Sequence, residues 1–274
     1  MYKRQILYHA LSDKLRKSLA SWVPDWAEEG LDPGDPRYGV LNDRLAASGP
    51  GTPLFRFSND QKALVLRGKI IDTIIFKADP LPDATSIALK LRAGVPPEGM
   101  RDTYIQHNHT ATNILWSWVD ISTWAEYPTS EPTKDALQRT LHQDQSEENT
   151  RFTADGSFTR WYETMTRANI ERLDAMSAFK LFGTNRFHLS VLLFCSRKTF
   201  FRTGKAYFGT APDPLPDSMQ AGDVIALVSG LEMPLVLRPV DGGYRLITHV
   251  YVHGMMYGES WPERQEQLED IVLV

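Results

Sequence analysis

His253 and Glu259 lie in the run Tyr251-Val252-His253-Gly254-Met255-Met256-Tyr257-Gly258-Glu259, and Asp223 follows Gly222 at the head of Val224-Ile225-Ala226-Leu227-Val228. An imidazole and a carboxylate are the material of a general acid–base pair, so a hydrolase built on His253 and Glu259 is one reading. The competing reading is structural. On a strand, Tyr251 and His253 share a face opposite Val252, and the ring can hold a strand end by hydrogen bonding while Gly254 permits a turn or bulge. Asp223 after glycine suits a tight turn in which the carboxylate bonds its own neighbouring backbone. The structural reading is preferred, and no catalytic, cofactor-binding or metal-binding residue is assigned. His107-Asn108-His109 would place two imidazoles on one face of a strand. A metal site wants three or four ligands with supporting partners, and no cysteine or patterned carboxylate accompanies this pair. No nucleophile elbow, His-Glu-x-x-His helix, phosphate-cradling loop or dinucleotide turn occurs in the chain. Their absence lowers the expectation of an enzyme without removing it, because triads assemble from positions distant in sequence.

A second chemistry is electrostatic. From Ala175 to Pro212 there is no acid, while Lys180, Arg186, Arg197, Lys198, Arg202 and Lys205 supply a basic strip interleaved with Phe187, Phe194, Phe200, Phe201 and Tyr207. Bases alternating with aromatics are what a strip binding nucleic acid or phosphate would use. The preferred alternative makes the aromatics core and pairs the cations with Asp144, Glu147, Glu148, Glu263, Glu266 or Glu269; nucleic acid is not the expected partner. Trp116, Trp118, Trp124 and Tyr127 could stack on a planar ligand, and Met255-Met256-Tyr257 could form an adaptable patch, but burial is the default for both groups.

The elements that must carry these residues follow from pattern. Ile6, Leu7, Leu11, Leu15 and Leu19 recur at helical spacing until Pro24, and the glycines and prolines between Gly30 and Pro53 describe an irregular connection. Leu54–Phe57 and Ala63–Arg67 form a hairpin around Ser58-Asn59-Asp60-Gln61, with a further β-run at Lys69–Phe76. Prolines and glycines return between Pro80 and Met100, and helical texture begins at Tyr104. Pro132 suits the start of a helix over 132–141, a stripe of Trp161, Met165, Ile170, Leu173, Met176 and Phe179 indicates one long helix over 159–182, and Phe187–Phe194 is read as helix rather than buried strand. Beyond it, turns at Thr203-Gly204-Lys205 and Asp241-Gly242-Gly243 separate four or five short strands that closure would relieve of exposed edges.

Composition sets the frame. The 274 residues are 42% apolar and 23% charged with a formal net charge of −4, within the range of folded globular chains and without the global field that would hold a polyanion or an acidic membrane. Cys195 stands alone, which favours a reducing compartment, and no secretory or membrane-spanning run is present, so a cytoplasmic location is expected.

The wording of the C-terminal third is specific. Phe200-Phe201-Arg202-Thr203, Gly222-Asp223-Val224, Pro234 to Arg238 and Tyr251 to Glu259 keep the order and spacing of a pattern in fungal heterokaryon incompatibility proteins, and Trp22-Val23-Pro24-Asp25-Trp26, Leu66 to Ile74 and Ala136-Leu137-Gln138-Arg139-Thr140-Leu141 are similar to earlier segments of them. The chain thus resembles the region that follows the signature HET domain, and the expectation is of a chain without that N-terminal domain. The fold expected from pattern is α+β, a helical middle with a small N-terminal β-hairpin region and a C-terminal small antiparallel β-barrel-like module, divided at 1–196 and 197–274 but packed as one unit, and the resemblance locates the C-terminal scaffold. It implies motif positions at Gly222, Asp223, Arg238, Tyr251, His253, Gly254, Gly258 and Glu259. The implied role is that of a non-enzymatic interaction or regulatory module in non-self recognition and programmed cell death, with protein partners that include a full-length HET-domain protein and no membrane.

Overall fold

The computed structural model describes residues 19–23, 45–93, 101–122, 126–146, 150–167, 185–212 and 219–274, with 177, 180, 181 and 183. Most of the expected N-terminal helix, the connection up to residue 44, Trp26, Trp124, Glu147, Glu148 and much of the 159–182 helix lie outside them. The fold is α+β, with five helices and nine strands among the described residues. The chain divides into two compact units, residues 78–200 and, discontinuously, residues 1–77 with 201–274. The boundary expected at 196/197 differs from this division because the N-terminal β-residues pair with C-terminal strands.

Those residues are β1 (Phe55–Phe57) and β2 (Leu64–Lys77). The predicted hairpin is present, its turn tied by Ser58 Oγ, which accepts from Ala63 N and donates to Asp60. The two β-runs expected on either side of Gly68 are one strand. Gly68 is extended and does not interrupt it; a Cβ there would lie 2.4 Å from the Leu227 carbonyl oxygen and 2.8 Å from Ile271 Cδ1. Glycine marks a close backbone approach here, not a break.

The remaining strands are β3 (Lys198–Thr203), β4 (Phe208–Pro212), β5 (Val224–Val228), β6 (Leu235–Val240), β7 (Gly243–His249), β8 (Tyr251–Val252) and β9 (Glu269–Leu273). Pairing runs β5–β6–β7–β9–β2, and β2 pairs again with β5, so five strands close a ring; β7–β9 is its one parallel contact among the described residues. Gly68 is paired with Val228 on one side and Glu269 on the other. Alternate residues from every strand of the ring gather in one core: Leu64 and Leu66, Ala226 and Val228, Leu235 and Leu237, Leu246, Ile271 and Leu273, joined by Tyr251 and Met256. The intervening Ile225, Val236 and Ile247 enter a second core with Ile74, Phe201, Val252 and Met255. Strands β5 and β6 are thus buried on both faces, the physical reason their apolar runs are continuous and do not alternate.

The unit of residues 78–200 is helical: α1 (Thr85–Arg92), α2 (Arg101–Ser122), α3 (Thr133–Leu141), α4 (Ser157–Arg167) and α5 (Arg186–Cys195). Helix α2 buries Ala111, Leu115, Trp118, Val119 and Ser122, one stripe at helical spacing. Helix α3 begins after Pro132 and buries Ala136, Leu137, Thr140 and Leu141, as its sequence predicts. Helix α5 starts at Asn185, whose side chain accepts from His188 N. Helix α1 was not legible. Its start is held from far along the chain by Ser196 Oγ, which accepts from Ala84 N at 3.0 Å and donates to Asp83 Oδ1 at 3.1 Å. No helix among the described residues is long and apolar enough to cross a membrane.

Candidate functional site

The motif residues of the C-terminal third meet in structural pairs. Register places Val224 opposite Leu237, which brings Asp223 beside Arg238 on the neighbouring strand. Arg238 donates from Nε to Oδ1 at 2.8 Å and from a terminal nitrogen to Oδ2 at 3.0 Å of the fully buried Asp223 carboxylate. Oδ2 also accepts from Gln220 N at 2.8 Å, closing the turn that Gly222 passes with φ of 96°. A bidentate guanidinium plus a backbone N–H is a complete partner set for a carboxylate taken out of water.

Tyr251 and His253 lie on one face, as alternation requires. Their rings stack at 6.5 Å and the Tyr251 hydroxyl is 3.1 Å from His253 Nδ1, with His253 only 5% exposed. Gly254 turns the chain at φ of 83°, so Met255 N reaches the Val252 carbonyl, and Met255 and Met256 are core. Glu259 is exposed. Its carboxylate accepts from Tyr257 N at 2.7 Å, across the turn containing Gly258. His253 and Glu259 thus face separate surroundings, and the hydrolase reading loses the convergence it needs.

The shared strand face proposed for His107 and His109 does not exist, because both positions lie within α2. Among the described residues no group of three His, Cys, Asp or Glu gathers to hold a metal ion. Trp118 is buried, stacked on Phe200 at 5.7 Å and donating from Nε1 to the Asp79 carbonyl; Trp116 stacks on Trp161 at 6.1 Å. Phe200 and Phe201 are fully buried.

The basic strip does not present one exposed row. Lys180 and Arg186 are exposed and Arg197 is partly buried at φ of 56°, but Lys198 is only 7% exposed. Burial pushes its amine down to about 8, and the same environment pushes the Cys195 thiol up to about 12. Arg202 and Lys205 belong to the other unit, where Lys205 Nζ donates to the Ile71 carbonyl at 2.7 Å. Asp144, expected to serve the strip, takes Arg139 and Arg151 instead, each at 2.7 Å. Glu269 approaches Lys69 at 3.8 Å.

A ring of five strands around an aliphatic core, closed by the β2–β5 pairing and pinned between β5 and β6 by the Asp223–Arg238 pair, is the arrangement in which these motifs are spaced. The Het-6 beta-barrel domain matches residues 129–274, more than half of the chain. The chain belongs to the Het-6 β-barrel family. That domain occurs in fungal heterokaryon incompatibility proteins, and no HET domain is matched within the 274 residues. No curated protein and no solved structure matches the chain. In the Het-6 barrel the Asp223, Arg238, Tyr251 and His253 side chains bond to one another in pairs, and Glu259 ties a turn. Sequence reasoning missed two surface features. Phe55 and Phe57, at i and i+2 on β1, are 52% and 50% exposed, and a cleft opens beside Lys69 and Lys205. Apolar alternation on β1 was visible, but whether it faced core or water was not.

Proposed function

We propose that this Het-6 barrel chain is a non-enzymatic interaction module of fungal non-self recognition, binding a protein partner in the cytoplasm, with a full-length HET-domain protein as the partner class. The supporting observation is the edge at β1. Only three residues long, β1 pairs with β2 and with no other strand among the described residues. Phe55 and Phe57, each about half exposed, stand edge to face at 6.0 Å, flanked by the exposed Leu54; Trp22 packs on Phe57 at 5.7 Å. An unpaired strand edge bearing exposed aromatics offers main-chain hydrogen bonds for affinity and ring contacts for specificity, the physics of β-strand addition. The test is co-purification of the full chain with a full-length HET-domain protein. Capture by the wild type and loss of at least tenfold in the Phe55→Ser/Phe57→Ser variant support the reading; equal capture of both, or of neither, overturns it.

A further inference from the structure

A cleft of about 600 Å³ opens in the barrel unit, floored by Ile70 and Ile71, walled by Lys69, Lys205 and Tyr207, and bordered by Glu266 in the segment before β9. Its size lies within the range of small-molecule sites. Two features of the backbone build it. First, β2 is paired to β5 through Ile70↔Ala226 and then Asp72↔Ile225, so Ile71 is an extra residue, a β-bulge. Bulges re-aim backbone and side chain and recur beside binding sites. Here the Ile71 carbonyl accepts from Lys205 Nζ at 2.7 Å. Second, the turn that carries Lys205 is clamped to β2: Gly204 N donates to the Thr73 carbonyl at 2.8 Å and Lys205 N to Asp72 Oδ2 at 2.9 Å. Tyr207 N is tied back to Thr203 Oγ1 at 3.1 Å.

One ammonium is placed to meet an anion. Lys205 Nζ is fixed by a neutral carbonyl, with no carboxylate partner among the described residues and two donor protons remaining. Lys69 reaches Glu269 only at 3.8 Å, and that carboxylate is already engaged by Ile70 N at 3.0 Å. Glu266 on the rim, Glu269 beside Lys69 and Asp72 at the Lys205 amide are the acids here, so Lys205 is the cation whose ammonium has no carboxylate partner among the described residues. Between them lie two half-buried isoleucine side chains and a phenol ring. We propose that this cleft binds a small organic anion, a carboxylate or phosphate monoester with a flat apolar body, its charge at Lys205 and Lys69 and its body on Ile70, Ile71 and Tyr207. This is independent of the β1 edge.

Amide chemical-shift titrations of the full chain with naphthoate, with the neutral naphthalenemethanol of the same shape, and with inorganic phosphate test it. Naphthoate should move the amides of Ile70, Ile71, Lys205 and Tyr207 and bind at least about tenfold more tightly than either control. Lys205→Ala and Lys69→Met should each weaken it about tenfold with an unchanged thermal midpoint, and Lys205→Arg should retain it. Equal affinity for acid and alcohol, shifts confined to Phe55 and Phe57, or naphthoate binding unchanged in Lys205→Ala would overturn the proposal. The Phe55→Ser/Phe57→Ser variant should bind naphthoate normally, so failure of the cleft and failure of the β1 edge are separable.

Discussion

Asp223 shows how a residue that looks chemical is consumed by structure. Its carboxylate is fully buried, and its desolvation is offset only by Arg238 and the Gln220 amide. Removing one partner leaves an uncompensated charge in the interior, which costs roughly 3–5 kcal/mol, whereas replacing both with apolar residues of similar volume is often neutral. Asp223→Ala should therefore destabilise the barrel by about that amount in urea unfolding, and Asp223→Leu with Arg238→Met should recover most of the loss. Tyr251 and His253 follow the same logic at lower stakes: Tyr251→Phe removes one buried hydrogen bond, for about 1 kcal/mol by the same measurement. Gly68→Ala should cost on the order of 1–3 kcal/mol because β5 must retreat from the new methyl.

At the scale of elements, the junction from α5 to β3 sets a pH dependence. Lys198 in the folded chain loses its proton near 8 because burial disfavours the ammonium, against an ordinary 10.5. Between those values the unfolded chain holds more protons, so stability rises with pH, by up to roughly 1.4 kcal/mol per unit. Cys195 acts oppositely: buried, its thiol stays protonated to about 12 against an ordinary 9.0, and stability falls with pH between them. Urea midpoints should rise from pH 8 to 9, level to 10.5, then fall; Lys198→Met should abolish the rise and Cys195→Ala should extend it. On the acid side, burial pushes His188, which accepts from Trp161 Nε1, down to about 3 from an ordinary 6.5. Unfolded chains take up the proton first, so stability should decline as pH falls below 6.5, and a His188→Leu variant should lack that component of the decline.

At the scale of the molecule, the ring depends on a strand outside the region matched to the Het-6 domain. Strand β2 begins at Leu64, while the match begins at residue 129. Without β2, both β5 and β9 lose a partner and Ile271, Leu273 and Val228 lose part of their cover. A fragment of residues 129–274 should therefore give collapsed amide spectra and aggregate. Co-expression with residues 45–128, which return α1 and α2 together with β2, should restore dispersion, and co-expression with 78–128 should not; a well-dispersed ring in the latter would show that it closes without β2.

Much of this organisation was open to reading in the chain. The hairpin at Ser58–Gln61, the helix after Pro132 and the strand runs of β3, β5, β6 and β7 follow from local turn chemistry and apolar period, and the family wording from Phe200 to Glu259 was legible too; period alone could not separate helix from buried strand at α5, and β4 and β9 were not read. Local pattern could not reveal that Gly68 lies inside a strand, that Ser196 starts α1, or that Asp223 and Arg238 are partners, because each is defined by a group distant in sequence. The same holds for direction: Phe55 and Phe57 turn to water, Lys198 turns inward, and Lys205 is drawn to a bulged carbonyl. Periodicity specifies which residues share a face; closure of the ring through β2 decides which face meets the core.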